Sequence, residues 1–326
     1  MKLNKFLRLY FQTTNMCTNK CDFCCLKDSG PLPDRFPKTI TPADFDDCIL
    51  KIKNYLDKNK HILKIFCPYN SNEPFADRTL MLKLDLFYEY FPYTRMEIAT
   101  NGTLLTSKIS ERFLEILTKN MSDEKHDIYF NIPGIDNKTF KRNSDMSFRR
   151  TILNFINFAE MNGNRINIHL KTEWDKECGY EKKDIFNFWD NLNISKNIKE
   201  QISFEMMYPS DRAGNLKGVY DLKIQMEVLS GCNFRNLLDN IYVIQNGDVV
   251  TCCNDWYNTM TVGNLLREKT FEDIVNSEKY WQLFKWIYGI EKAPPDFICR
   301  KCYNSIGLGS RPIEFKGGEK YCRSKH

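Results

Sequence analysis

Strand-like and helix-like segments alternate along the first two thirds of this 326-residue chain. Short runs rich in apolar and β-branched residues are typical of strands, and we identify six: FLRLYFQTT, HILKIFCPY, RMEIATN, DIYFNIPG, RINIHLKTE and QISFEMMYP. Segments with a helical period lie between them: PADFDDCILKIKNYLDKN, DRTLMLKLDLFYEYF, SKISERFLEILTKN, FRRTILNFINFAEMNG and KKDIFNFWDNLN. This alternation predicts an α/β fold with a parallel sheet, in which functional residues collect at the carboxyl ends of the strands.

The pattern changes after about residue 212, where the turn-rich segment DRAGNLKG predicts a linker. We therefore expect one domain over residues 1–212 and a small, cysteine-rich α+β domain over residues 213–326. Within the second domain, NIYVIQNGDVVTCC predicts a β-hairpin that turns at Asn246-Gly247. One helix is expected over TFEDIVNSEKYWQLFKWIYG, followed by an irregular tail over PPDFICRKCYNSIGLGSRP.

Composition narrows the classes of function. The net charge of +5 is spread along the chain, so it gives little support for nucleic-acid binding. The sequence contains no run of about 18 apolar residues, so no membrane-spanning helix is predicted. The N-terminal segment lacks the features of a signal peptide. These features predict a cytoplasmic protein, in which the clustered members of its 13 cysteines are expected to act as metal ligands or catalytic groups rather than as disulfides.

Three of these cysteines stand close together directly after the first predicted strand. Cys17, Cys21 and Cys24 form the pattern C-x3-C-x2-C, while Cys25 lies outside it and is expected to pack. A [4Fe–4S] cluster normally has four cysteine ligands, so three thiolates leave one iron open for chemistry. Zinc or buried free thiols are the alternatives, although a zinc ribbon requires a second ligand pair close by.

The stretch CTNKCDFC, with Phe23 at the aromatic position, resembles the C-x3-C-x-Φ-C signature of radical S-adenosylmethionine (SAM) enzymes. The resemblance implies a partial (β/α)6 TIM-like barrel and a [4Fe–4S] cluster on the three cysteines. It also implies that SAM binds the open iron and is split, after one-electron reduction, into methionine and a 5′-deoxyadenosyl radical. A reductant such as flavodoxin or ferredoxin is the expected partner.

Further stretches resemble the SAM-binding motifs of this family. NSNEP has Ser71 and Asn72 where relatives have two glycines, but it keeps Glu73, which the resemblance assigns to the amino group of SAM. Asn101, in IATNGTLL, is implied as a second cofactor contact. Asn131, in NIPGID, is expected near the cofactor's ribose or carboxylate, and Lys171 near its carboxylate.

The C-terminal cysteines resemble those of the twitch and SPASM extensions of radical enzymes. The resemblance implies one auxiliary [4Fe–4S] cluster, with Cys253 as an alternative to Cys252 and a four-thiolate zinc site as the other possibility. The implied ligands are Cys232, Cys252, Cys299 and Cys302.

The expected reaction is dehydrogenation or epimerisation of a small polar substrate, such as a sugar, cyclitol or nucleotide. A leader-independent peptide maturase is the alternative. It is less favoured, because peptide-modifying relatives usually have a leader-binding domain before the barrel and only a few residues precede the first strand here. A non-enzymatic iron–sulfur or zinc protein is the third possibility. His169, inside a strand, is expected to be a core imidazole. Position alone suggests four catalytic candidates: Cys178 as a hydrogen-atom donor, and Glu205, Tyr208 and Arg212 as substrate partners.

Overall fold

Six parallel strands form the barrel sheet that the sequence predicts. The computed structural model describes residues 3–21, 24, 38–121, 123–173, 180–207, 212–215, 223–310 and 320–321. Each barrel strand pairs in parallel with the next strand along the chain. They are β1 (Phe6–Phe11), β2 (Ile62–Cys67), β3 (Arg95–Thr100), β4 (Asp127–Asn131), β5 (Asn167–Glu173) and β6 (Ile202–Met207).

The helices between these strands begin and end where local residues dictate. The first begins after Thr41, whose hydroxyl accepts the Asp44 N–H, and Lys60 ends it in the left-handed conformation. None of the described helices combines the length and apolar character of a membrane span. The helices are α1 (Pro42–Asn59), α2 (Leu80–Tyr90), α3 (Ser107–Lys119), α4 (Asn137–Lys141), α5 (Phe148–Asn162), α6 (Lys182–Asn191) and α7 (Lys196–Lys199).

The remaining elements begin with β7 (Gln225–Cys232), α8 (Asn236–Asp239), β8 (Asn240–Val243), β9 (Asp248–Val250) and β10 (Thr261–Asn264). The predicted hairpin is present as β8 and β9, which pair antiparallel. It extends the barrel sheet, because β8 pairs in parallel with β1. The chain continues through α9 (Phe271–Val275), α10 (Glu278–Ile287), β11 (Ser305–Ser310) and β12 (Lys320–Tyr321). The sheet order is therefore β10-β9-β8-β1-β2-β3-β4-β5-β6-β12.

Two predictions for the C-terminal part were wrong. The single helix expected over residues 270–289 is divided into α9 and α10, because the Ser277 hydroxyl accepts the Tyr280 N–H and starts a second helix. The tail expected to be irregular contains β11, which pairs antiparallel with β7. Gly307 and Gly309 obscure this strand in the sequence, and a Cβ at either would lie within 2.3 Å of a β7 carbonyl oxygen.

The sheet has one apolar face against the helices and one polar face toward the barrel interior. Along β1, Leu7, Leu9 and Phe11 are at most 1% exposed, and Phe11 meets Phe45 of α1 with ring centroids 4.7 Å apart. Since successive side chains of a strand point to opposite faces, the residues between them point inward. Arg8 accordingly reaches Glu97 of β3, at 3.0 Å.

A buried ion pair fixes the entry to α2. Lys83 Nζ lies 2.6 Å from Asp77 Oδ2, and both side chains are fully buried. The other carboxylate oxygen of Asp77 accepts the N–H and the hydroxyl of Thr79, the residue before α2. Breaking a buried pair leaves an uncompensated charge, which makes such pairs sensitive to substitution.

We expect Lys83→Met to lower the free energy of unfolding by about 3–5 kcal/mol, because Asp77 would lose its cation in a buried site. Lys53→Met is the matched control, since Lys53 and Asp57 form a surface pair, 28% and 61% exposed, and its loss should change stability by about 1 kcal/mol or less. Urea denaturation followed by circular dichroism measures both values. Equal losses in the two variants would contradict this account of α2.

Candidate active site

The three-cysteine loop follows the carboxyl end of β1. The Cys24 N–H donates to the Cys21 carbonyl at 3.0 Å, so one turn brings two of the thiol-bearing residues together. Cys17 Sγ accepts the Asn19 N–H at 3.4 Å. Burial first, then the neighbouring Glu73 carboxylate and, more weakly, Cys24, raise the pKa of Cys17 to about 12. A cation bound at this loop would oppose that shift, because thiolates are the form that binds metals.

Contacts from the ends of β2 and β3 hold this loop in place. The Glu73 N–H donates to the Met16 carbonyl at 2.9 Å, and the Thr18 and Thr103 hydroxyls lie 2.6 Å apart. The Asn101 amide donates to the Thr18 hydroxyl at 3.0 Å and to Cys17 Sγ at 3.6 Å. The cysteine loop is thus joined to the loops that follow the neighbouring strands.

Glu73 is a buried carboxylate that connects the ends of β2 and β3. It accepts the Asn101 N–H at 2.7 Å, the Thr100 hydroxyl at 2.7 Å and the Phe75 N–H at 3.2 Å. Burial raises its pKa to about 7, even though these hydrogen bonds oppose the shift. A carboxylate offers about four acceptor positions, so capacity remains for a donor from a ligand.

The other predicted cofactor contacts occupy different environments. The Asn101 amide contacts the cysteine loop itself, while its oxygen accepts the Thr103 N–H at 3.0 Å. Asn131 Oδ1 is buried and has no hydrogen-bond partner among the described residues. Lys171 Nζ lies 3.2 Å from Glu205 Oε2 and 4.3 Å above the Tyr129 ring. Phe23, and the catalytic candidates Cys178 and Tyr208, lie outside the described residues.

Sequence reasoning missed a charged network inside the barrel. Arg95 pairs with Asp127, and it lies 3.6 Å from Glu97. His169 Nε2 lies 2.9 Å from Asp127 Oδ1, so this imidazole is part of the network rather than of an apolar core. The signal was the alternation of NIHLKTE, which places Asn167, His169 and Lys171 on the interior face of β5.

The four C-terminal cysteines predicted as ligands gather at a second centre. Burial and then the Cys302 and Cys232 thiols raise the pKa of Cys299. Burial also raises the pKa of Cys302, to about 11, with Cys232 contributing. A hydrogen bond with Cys253 and burial raise the pKa of Cys252, and the Cys299 thiol contributes. No three of the described His, Cys, Asp and Glu side chains form a ligand set for a single metal ion.

Asparagine donors surround the sulfur atoms of this centre. The Asn236 amide donates to Cys252 Sγ at 3.2 Å. Asn254 donates its backbone N–H to Cys252 Sγ at 3.4 Å and its amide to Cys302 Sγ at 3.7 Å. Such donors suit thiolate ligands of an iron–sulfur cluster, whose reduction potential depends on hydrogen bonds to sulfur. The donor set therefore fits the predicted auxiliary cluster.

Cys253 and Arg212 lie beside this second centre. A hydrogen bond with Cys252 and the nearby Arg212 guanidinium lower the pKa of Cys253 although burial opposes them. The Arg212 guanidinium also lies 5.5 Å from the centroid of the Trp256 ring. Arg212, predicted as a substrate partner, is thus placed at the cysteine-rich centre, while Glu205 is placed in the barrel interior with Lys171.

Two tyrosines connect the barrel interior with the second centre. The rings of Tyr10, on β1, and Tyr242, on β8, stack with centroids 4.7 Å apart. The Tyr242 hydroxyl donates to Asn236 Oδ1 at 3.0 Å, and the amide of the same asparagine donates to Cys252 Sγ. A continuous chain of contacts therefore links β1 to a predicted cluster ligand.

Comparisons with known proteins agree with this arrangement. Residues 232–303 match the family model of SPASM, an iron–sulfur cluster-binding domain, whereas the search of curated proteins found no match. BtrN, solved in complex with AdoMet and 2-DOIA, is 16% identical with a TM-score of 0.53, over 89% of each chain. SuiB of Streptococcus suis, bound to precursor peptide SuiA, is 16% identical with a TM-score of 0.58, over 86% of this chain and 67% of SuiB.

A third solved structure is anSMEcpe with bound AdoMet and Cp18Cys peptide. It is 13% identical with a TM-score of 0.57, over 91% of this chain and 86% of that chain. These proteins are radical SAM enzymes, and this chain has their fold: a largely parallel α/β barrel sheet. Residues 232–303 match the SPASM iron–sulfur model, so the predicted resemblance is confirmed for the fold and for this cysteine-rich segment.

We expect Glu73→Gln to change how stability responds to pH. The pKa of Glu73 is about 7 in the folded protein, against an ordinary value of 4.5. Between these pH values the folded protein retains a proton that the unfolded chain releases, so the wild type loses stability as pH rises through the window. Across this pH window the free energy of unfolding of the variant should rise by about 3 kcal/mol relative to wild type. Above pH 7 the difference between the two proteins should stay constant.

Urea denaturation of the metal-free proteins, in a series from below pH 4.5 to above pH 7, measures this difference. Glu115→Gln, on the exposed part of α3, is the matched control and should not reproduce the effect. Parallel pH profiles of the wild type and Glu73→Gln would show that the carboxylate is not held in a strongly desolvated site.

Proposed function

We propose that this protein is a radical SAM enzyme that splits SAM reductively and removes a hydrogen atom from a small polar substrate in the barrel interior. The observation that carries the proposal is the three-thiol loop at the carboxyl end of β1, joined to Glu73 and Asn101 on a radical SAM fold. The 5′-deoxyadenosyl radical would come from SAM bound at a cluster on this loop. The protein holds the cofactor, orients the substrate and excludes water.

Residues at the carboxyl ends of the strands suit the predicted cofactor roles. Cys17, Cys21 and Cys24 would hold the first cluster, and the remaining acceptor capacity of Glu73 suits the amino group of SAM. The buried, unpartnered oxygen of Asn131 suits a ribose hydroxyl. The Lys171 ammonium has hydrogens beyond the one directed at Glu205, and these suit the carboxylate. Phe23 stays a prediction from the motif.

The second centre would hold one auxiliary cluster on Cys232, Cys252, Cys299 and Cys302. We place it in a domain over residues 213–326, as predicted, with the hairpin of this domain continuing the barrel sheet. The hydrogen bonds from Asn236 and Asn254 to Cys252 favour Cys252 over Cys253 as the ligand. Arg212 would act at this centre. Cys178 and Tyr208 remain candidates from the sequence.

The substrate is proposed to be a small polar molecule that undergoes dehydrogenation or epimerisation. The polar, charge-paired barrel interior supports this choice, and BtrN was solved with the small ligand 2-DOIA. A peptide is the alternative, since SuiB and anSMEcpe were solved with peptides. Flavodoxin or ferredoxin is the proposed reductant.

Anaerobically reconstituted wild type should contain about eight iron atoms per chain, as two four-iron clusters require. With SAM and dithionite it should form 5′-deoxyadenosine. The triple variant Cys17→Ala, Cys21→Ala, Cys24→Ala should retain about four irons and form at most about a hundredth as much nucleoside, because the cluster that binds SAM would be lost. Iron analysis and chromatography measure both quantities.

Cys48→Ala is the matched control, because Cys48 is a buried thiol of α1 outside both centres. It should retain full iron content and full nucleoside formation. Persistent 5′-deoxyadenosine formation by the triple variant would contradict the proposed function. Zinc in place of iron in the purified protein would instead support the non-enzymatic alternative.

Asn236→Leu should lower the reduction potential of the auxiliary cluster, because a donor to Cys252 Sγ that stabilises the more negative reduced state would be removed. A hydrogen bond worth about 0.5–1.5 kcal/mol corresponds to roughly 20–60 mV for one electron. Electron paramagnetic resonance during redox titration measures the shift. Asn191→Leu, at the exposed end of α6, is the control and should leave the potential unchanged. An unchanged potential in Asn236→Leu at full iron content would contradict the role given to the hydrogen bond from Asn236 to Cys252.

A further inference from the structure

We propose that His169, oriented by Asp127, is a hydrogen-bond acceptor for a hydroxyl group of the substrate, and that the substrate is a small polyol without a phosphate or other anionic group. The proposal rests on the proposed function, because it assigns a substrate class and a binding residue to the same barrel interior. It concerns a part of the barrel that no sequence motif identified.

The Asp127 carboxylate fixes which imidazole nitrogen carries the proton. It lies 2.9 Å from His169 Nε2, and it also accepts hydrogen bonds from Arg95 and, at 3.1 Å, from the Asn167 amide. Together these donors lower the pKa of Asp127 although burial opposes them. An ionised carboxylate only accepts, so Nε2 must donate, and in the tautomer with hydrogen on Nε2 alone Nδ1 keeps its lone pair.

This lone pair lacks a partner within the protein as described. His169 Nδ1 is buried and has no hydrogen bond among the described residues. A buried polar atom without a partner destabilises a folded protein, so such atoms call for an explanation. A hydroxyl donor from a ligand would supply the missing bond.

The imidazole is held in one orientation before any ligand arrives. The Tyr129 ring stacks on it, with centroids 4.4 Å apart and planes at 15°. Asp127 fixes the ring from its other nitrogen. The side chains of His169, Lys171 and Glu205 are 18%, 21% and 12% exposed, so part of the interior surface beside the imidazole is open to a small molecule. A preorganised acceptor of this kind limits the entropy lost on binding.

The charges of the interior indicate the class of ligand. Each of the three cations that the structure describes there has a carboxylate partner: Arg8 with Glu97, Arg95 with Asp127, and Lys171 with Glu205. A phosphate group is normally bound by cations or a helix N-terminus that can compensate its charge. Here each of these cations already has a carboxylate partner, and the remaining hydrogens of Lys171 are assigned to the carboxylate of SAM, while the acceptor on His169 is left over. A ligand rich in hydroxyl donors and free of anionic groups therefore fits best.

Isothermal titration of the anaerobically reconstituted full chain with myo-inositol, glucose and glucose 6-phosphate tests the proposal. At least one of the two uncharged polyols should bind, and more tightly than glucose 6-phosphate. His169→Phe should weaken that binding about tenfold, as expected for one lost hydrogen bond. His61→Phe is the matched control, because His61 stacks on Tyr55 of α1, outside the interior, and it should bind like the wild type.

Nuclear magnetic resonance with ¹⁵N-labelled histidine measures the tautomer of His169 and the chemical shift of Nδ1. That shift should not respond to the polyol if His169 has only a structural role. The chain has four histidines, so the His169 signals are identified by their loss in His169→Phe. Wild type should show the tautomer with hydrogen on Nε2, and the Nδ1 signal should shift when the polyol binds. Asp127→Asn, which offers an N–H toward the ring, should reverse the tautomer and abolish that shift.

Several outcomes overturn the proposal. They are hydrogen on Nδ1 in the wild type, tighter binding of glucose 6-phosphate, no binding of either polyol, or equal polyol binding by wild type and His169→Phe. Formation of 5′-deoxyadenosine from SAM alone separates this failure from failure of the proposed function. If the protein forms the nucleoside but binds no polyol, only the proposal for His169 is contradicted. If it binds a polyol at His169 but forms no nucleoside, only the proposed radical chemistry is contradicted.

Discussion

The parallel hydrogen bonding between β1 and β8 is the contact on which the rest of the structure depends. β1 ends at the three-cysteine loop, and β8 opens the hairpin that leads to Cys252. The strands are aligned so that Tyr10 stands beside Tyr242, which stacks the two rings. Side chains of the loops beyond both strands also meet, since the Gln12 amide donates to Gln245 at 2.9 Å. One strand pair thereby joins both cysteine centres to a common sheet.

Much of the fold was predictable because its signals are local. The predicted helix over residues 42–59 is α1 to the residue, since Thr41 and Pro42 mark its start and an apolar period runs through it. The strand β11 was not predictable, because its glycines carry no side chains that could show an alternating pattern. The division between α9 and α10 depends on one serine cap inside an otherwise helical pattern.

The candidate site was predictable in part for the same reason. The cysteine loop, Glu73 and Asn101 are all marked by short motifs beside strand ends. What the motifs did not reveal is how these residues contact one another: Asn101 lies against Cys17, and Glu73 binds the turn that contains Asn101. Partners on different strands depend on sheet register, which no single segment encodes.

The interior network shows this limit clearly. Lys171 faces Glu205 because β5 and β6 are paired in that register. His169 reaches Asp127 across the adjacent strand pair, where the aligned partner of Asp127 is Asn167. Read alone, a histidine inside a strand is more often a packing residue. Only the assembled sheet shows that its carboxylate neighbour turns it into an oriented acceptor.

The antiparallel pairing of β9 with β8 determines where Cys252 lies relative to β1. Val250 of β9 is aligned with Tyr242, so Cys252 lies toward the amino end of β1, while Cys17 follows its carboxyl end. The register of one strand pair therefore sets the separation between the two cysteine centres. Because a slip of one residue turns every side chain of a strand to the opposite face, inserting a residue within β8 would turn Tyr242 away from Tyr10. A change in the length of this strand would therefore break the Tyr10–Tyr242 contact, which lies between the two cysteine centres.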